Sequence, residues 1–152
     1  MQDAVSRLRS DKLLCGCIIG FAQSNPFDSS QPLYRKSESF PLPEPTDNCL
    51  QLAKIATAMI ESIYKEGIAF KKCGVILTCL EPKLNHTYDI FTDMDQVESS
   101  NRLMDSMDQI QEKFGKKKLG IGASMLPNRT WTMTRNQLSQ NYFQWDQLLK
   151  VK

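Results

Sequence analysis

The chain has 152 residues, 41% hydrophobic and 24% charged, with five cysteines and a net charge of +2. That is a globular composition at one-domain or two-small-domain size, which excludes a disordered tail or a collagen-like repeat. No apolar run reaches the ~20 residues of a membrane span, Met1-Gln2-Asp3 opens no signal peptide, and the cysteines lack zinc-ribbon or disulfide-framework spacing. A reduced cytoplasm is the simplest setting for such a thiol set.

Residues Asp3 to Lys12 read as the last turns of a helix, with Ala4, Val5 and Leu8 on one side. Leu13 to Ala22 is a short apolar run, the right length for a buried strand. Ser24-Asn25-Pro26 breaks it, and loop continues to Pro32. Leu33 to Leu42 alternates in period two, with Tyr34, Lys36, Glu38 and Phe40 on one face, and its flanking prolines suit an edge strand.

The clearest helix runs from Thr46 to Glu66: Thr46 or Asp47 can cap it, Leu52, Ile55, Met59 and Ile63 form its apolar stripe, and Gly67 stops it. Lys72 to Leu80 reads as a strand buried on at least one face. Residues 81–98 are acidic and aperiodic, as expected of a linker. A second helix is expected from Ser100 to Phe114, with Leu103, Met107, Ile110 and Phe114 inward and Gly115 ending it. Short strands follow around Lys118–Ala123 and Thr130–Arg135.

Charge is unevenly distributed along these elements. Residues 1–80 carry a net +1, residues 81–112 carry −6, and residues 113–152 carry +7. The basic tail reads either as a footprint for phosphate or as a solvated surface, whereas the acidic middle keeps away from nucleic acid.

Recognisable catalytic chemistry is missing. His86 stands alone in the linker and reads as a solvated side chain, Cys15 and Cys17 read as small buried thiols, and Gly120 and Gly122 are too few to cradle phosphates. No pair of carboxylates is placed on a strand or tight turn as two-metal chemistry requires.

Over its length the chain resembles the little-finger domain and C-terminal module of UmuC-type catalytic subunits of bacterial DNA polymerase V, a Y-family enzyme. The similarity rests on RLRSDKLLCGCIIGF, the SNPF at Ser24–Phe27, PLYRKSESFPLPEPTDN, YKEGIAFKKCGVIL and the spaced pairs Leu103-Met104, Met107-Asp108 and Phe114-Gly115. It continues through Trp131-Thr132-Met133, Arg135, Leu138-Ser139, Tyr142 and the terminal LLKVK. The resemblance implies an α+β fold: an incomplete βαββαβ little-finger-like sheet with helices on one face, then a small C-terminal module of a helix plus strands. The corresponding boundaries are 1–80 for the partial DNA-contacting domain, 81–98 for the linker and 99–152 for the C-terminal module.

Met1 falls midway through the first helix of that motif, so the resemblance implies a C-terminal portion without its first strand. Its absence is expected to leave neighbouring N–H and C=O groups unpaired and the chain marginally stable or self-associating, unless Leu13–Ala22 and Lys72–Leu80 close up directly or Lys118–Ala123 fills the gap. The resemblance further implies a non-catalytic role in SOS mutagenesis and DNA repair: gripping primer–template DNA through phosphates, with Arg35, Lys36, Ser37, Ser39, Lys71 and Lys72 as the contact residues. Lys116–Lys118 and Arg129 are the fallback cations. No cofactor is implied for this chain, since Mg²⁺ would belong to palm carboxylates that it lacks. Thr87, Tyr88, Asp89, Ile90 and Phe91 occupy the place of a peptide that docks on the processivity sliding clamp, with Thr87 where the family pattern has glutamine. The sliding clamp, a UmuD-type dimer and RecA are the implied partners, with damaged or primer–template DNA. The rival reading is a protein-interaction module or inactive remnant that binds the clamp or the UmuD-type partner with little affinity for DNA.

Overall fold

A computed structural model describes residues 1–115 and 118–122. Helix α1 (Gln2–Ser10) leads into strand β1 (Leu13–Ser24), strand β2 (Arg35–Thr46), helix α2 (Cys49–Ile63), strand β3 (Phe70–Pro82), a 3₁₀ turn (Lys83–Asn85) and helix α3 (Met94–Phe114). The strands form one antiparallel sheet in the order β2-β1-β3, so the fold is α+β with a three-stranded sheet and flanking helices.

The expected gap is closed by the first of the two rescues: β1 pairs directly with β3 from Leu13↔Pro82 to Ser24↔Phe70. The 118–122 stretch is not a strand and instead lies against α1. Gln2 Nε2 donates to the Leu119 carbonyl at 3.1 Å, its Oε1 accepts from Ile121 N, and Ile121 packs on the core. Ala123 and the strand expected at Thr130–Arg135 lie outside the described residues.

The core sits on one face of the sheet. Val5 and Leu8 of α1, Cys15 and Ile18 of β1, Leu42 of β2, Cys49, Leu52 and Met59 of α2, and Met104 of α3 form one buried cluster. Helix α2 begins where Asn48 Oδ1 accepts from Leu50 N and Gln51 N, so the cap is Asn48 rather than Thr46 or Asp47. It ends at Ile63, before Gly67. Tyr64 turns extended to set its ring on Phe70, and the Tyr34 hydroxyl donates to the Ile63 carbonyl at 2.6 Å, which satisfies a group the helix end leaves open.

Three expectations change. Strand β3 is an edge strand that is only half-buried on its core side, where Leu77 packs against the core cluster beside half-buried Val75 while Cys73 is exposed. The linker expected at 81–98 carries regular structure at both ends, with β3 reaching Pro82 and α3 starting at Met94. Helix α3 turns Met104 inward with Met107 half-buried, while Leu103, Ile110 and Phe114 are exposed. Its inner face runs Asn101, Met104, Asp105, Asp108, a helical spacing set by ion pairs that an apolar pattern does not register.

Candidate nucleic-acid interface

Residues directly opposite in an antiparallel ladder share a face, so the register sorts the sheet into rows. On the face away from the core these are Arg35–Gln23–Lys72, Ser37–Phe21–Gly74, Ser39–Ile19–Ile76 and Pro41–Cys17–Thr78. None of these residues is buried, and none is acidic. Four expected contact residues, Arg35, Ser37, Ser39 and Lys72, therefore share one open surface.

The other two do not. Lys36 is paired with Ala22, on the core side, where its Nζ donates to the Ser62 carbonyl at 2.9 Å and pairs with Glu38 at 3.0 Å. The Ser62 hydroxyl also donates to Glu38 and, with Lys36, holds that carboxyl below the usual carboxylate range. The alternation of Tyr34, Lys36, Glu38 and Phe40 already separates Lys36 from Arg35, and the sheet keeps them apart. Lys71 is exposed at a bulge, where the register steps from Gln23↔Lys72 to Ser24↔Phe70. Of the fallback cations only Lys118 is among the described residues, and it is exposed.

Sequence reasoning missed Phe21. A Cβ placed on Gly74 would stand 2.8 and 2.9 Å from two carbons of the Phe21 ring, so the ring leans across the neighbouring strand into the space that glycine leaves. The odd-numbered residues of β1 (Cys17, Ile19, Phe21, Gln23) carry the period-two signal that would have found it.

The second candidate, residues 87–91, divides. Tyr88 is half-buried, edge-on to His86 with centroids 4.5 Å apart, and forms part of the wall of a cleft of about 630 Å³ that Glu44, Asn48, Lys54 and Gln96 also line. Ile90 and Phe91 stand 95% and 93% exposed at a turn closed by Thr92 N donating to the Asp89 carbonyl. Thr87 and Asp89 are exposed as well.

His86 is not solvated. Its side chain is 7% exposed, with Nε2 2.6 Å from Glu44 and Nδ1 2.5 Å from Glu81, the latter a close contact without hydrogen-bond alignment. It ties the start of the turn to the ends of β2 and β3. Glu81 lies in the stretch read as a linker, but Glu44 comes from β2, and the aperiodic composition does not signal that the two converge on the ring.

A second unannounced cluster joins α1 to α3. Arg9 Nη1 reaches Asp47 at 2.7 Å, Nη2 reaches Asp105 at 2.7 Å, and Nε reaches Asp108 at 2.6 Å. Lys83 adds a 2.8 Å contact to Asp47. Burial disfavours the Arg9 charge, but the hydrogen bonds to Asp108 and Asp105 and the fields of Asp47 and Asp108 outweigh it and raise the guanidinium pKa. Among the described residues no group of three or more His, Cys, Asp or Glu is placed to hold a metal ion, and no helix is long and apolar enough to cross a membrane.

Comparison with known proteins agrees with the resemblance. Residues 1–90 match the impB/mucB/samB family C-terminal domain, and residues 101–151 match a domain of unknown function (DUF4113). Protein UmuC of Salmonella typhimurium is 27% identical over 150 residues, covering 98% of this chain and 35% of that protein. Protein ImpB is 26% identical over 139 residues and Protein SamB 28% over 140, both from Salmonella typhimurium and each covering 91% of this chain and 32% of the relative. The chain thus spans about a third of the length of the curated relatives it matches. With more than half of its residues inside the first match, the chain belongs to the impB/mucB/samB family, of which it carries the C-terminal domain.

Proposed function

We propose that this chain is the non-catalytic, DNA-contacting C-terminal part of a Y-family translesion polymerase, acting in SOS mutagenesis and DNA repair. The observation that carries the reading is the open sheet face, which places Arg35 and Lys72 in one row, hydroxyls beside them and no carboxylate among the rows. Cations and hydroxyls on a sheet contact phosphate and leave base sequence unread. Primer–template duplex is the substrate of this grip, with Lys71 at the rim of the face.

The test is binding of the purified chain to primer–template duplex over a range of salt. Two to three phosphate contacts give a slope of about −2 to −3 in log K against log salt. Replacing Arg35 and Lys72 by alanine flattens that slope and weakens binding equally across sequences. Salt-independent binding, or a loss confined to one sequence, refutes the grip.

A second reading is favoured by Ile90 and Phe91, whose adjacent exposed side chains can plug a hydrophobic pocket on a sliding clamp. Ile90→Ala with Phe91→Ala abolishes clamp binding in that reading without touching the sheet. Full-strength clamp binding by the double variant removes the turn from consideration. A UmuD-type dimer and RecA remain further partners of this reading.

A further inference from the structure

We infer that Phe21 is a stacking platform for an unpaired DNA base, so the open sheet face distinguishes single-stranded template from bare phosphate backbone. The inference rests on the DNA-contact reading and adds a base-recognising residue to it.

Three observations lead there. The Phe21 ring occupies the space above Gly74, a glycine without the positive φ that marks Gly67, Gly115 and Gly122. Its lack of a side chain therefore serves the ring rather than the backbone. Glycine inside a strand weakens it and often marks a site of close approach, so this position trades strand stability for a reclining aromatic.

The ring is only half-buried, although an aromatic on a sheet face gains by being covered. Its neighbours in the next row, Ile19 and Ile76, leave it an apolar surround, and Ile76 is 48% exposed. Finally, the Arg35–Gln23–Lys72 row lies one pleat repeat away, roughly 7 Å along the strands.

Cations beside an outward aromatic on a carboxylate-free face match the two parts of a nucleotide, phosphate and base. A paired base hides its π-face in the duplex stack, so only an unpaired one can use Phe21. Every base has such a face, and the contact is tolerant of sequence.

The test uses the full chain and three labelled DNA probes in fluorescence anisotropy: a twelve-nucleotide oligothymidylate, an abasic strand of the same length, and a primer–template duplex. The two single strands carry equal phosphate, so their difference isolates the base. Wild-type protein binds oligothymidylate about five- to a hundred-fold more tightly than the abasic strand. Phe21→Leu removes most of that preference while leaving abasic and duplex affinities and their salt slopes unchanged. Phe21→Trp keeps the preference, and Gly74→Ala lowers it by displacing the ring. Far-UV circular dichroism checks that each variant is folded, and the tryptophan variant supports the proposal independently of the leucine one. Equal wild-type affinity for the two single strands overturns the inference, as does a preference that survives Phe21→Leu. If duplex binding stays salt-dependent in those cases, the phosphate grip stands without the stacking site. Absence of salt-dependent binding to all three probes overturns both.

Discussion

Replacing Arg9 by leucine tests the clamp between α1 and α3 directly. The Arg9 and Asp47 side chains are 9% and 8% exposed, so their contact is a buried ion pair. Stripping one partner from such a pair costs about 3–5 kcal/mol, because the remaining charge is left without compensation. Here Lys83 still reaches Asp47 at 2.8 Å, which lowers the expected loss to roughly 2–3 kcal/mol. Asp105 and Asp108 are 63% and 43% exposed, and screening by water limits each to about 0.2–1 kcal/mol. The combined loss is about 3 kcal/mol. With a urea dependence of about 2 kcal/mol/M, the unfolding midpoint moves down by about 1.5 M. Asp105→Asn alone shifts it by no more than about 0.5 M. If Arg9→Leu also moves the midpoint by less than about 0.5 M, Lys83 suffices for Asp47 and the clamp reasoning is wrong.

Further outcomes follow from other sites. His86→Ala leaves Glu44 and Glu81 facing a gap and removes the ring against Tyr88; it costs about 1–3 kcal/mol and speeds amide exchange across residues 87–92, and unchanged exchange there refutes the tether. In a thiol titration of native protein, exposed Cys73 and Cys79 react first and Cys15 and Cys49 last, since burial pushes the last two thiols up and keeps them protonated; rapid modification of Cys15 contradicts its placement. Lys36→Ala leaves duplex affinity within about two-fold while Lys72→Ala reduces its salt slope by about 1, because only Lys72 lies on the open face; equal losses refute the division of faces.

Much of the sheet layer was legible because its elements obey local rules. The run Leu13–Ala22 and the alternation from Leu33 onward mark β1 and β2, and Leu52, Met59 and Ile63 mark the buried face of α2. The prolines at 41, 43 and 45 hid the end of β2, which runs on to Thr46; an edge strand tolerates them because no further strand on that side needs the N–H donor that proline lacks. The partial cover of β3 was not legible, since an apolar run reads alike whether it is fully or half buried. The inner face of α3 was hidden because two of its anchors are aspartates whose partner, Arg9, is about a hundred residues away in sequence. His86 was misread partly for the same reason, since Glu44 lies 42 residues away. Pairing between distant charged residues leaves no periodicity to detect, whereas hydrophobic burial does.

Helix α3 gives those distant pairs a structural consequence for residues 87–91. It begins at Met94, between the two matched regions, and its Met104 is buried in the core shared by α1, β1 and α2. Ser100 accepts from the Asn48 amide at 2.6 Å, and Asn101 accepts from Lys83 at 2.9 Å, so the first turns of the helix are fastened beside the start of α2. His86 fastens the other end of the intervening segment to Glu44 and Glu81. The stretch carrying Ile90 and Phe91 is therefore a short turn held at both ends, not a free tether. A free linker loses backbone freedom of about 1–2 kcal/mol for each residue it orders on binding, and a turn already closed loses much less. In the clamp-docking reading proposed above, the two apolar side chains would project from a preorganised support, and a small contact would then lose less free energy to ordering despite Thr87 in place of the family pattern's glutamine. Loosening the support while leaving Ile90 and Phe91 intact, as His86→Ala does, should then weaken clamp binding through the cost of reordering the turn.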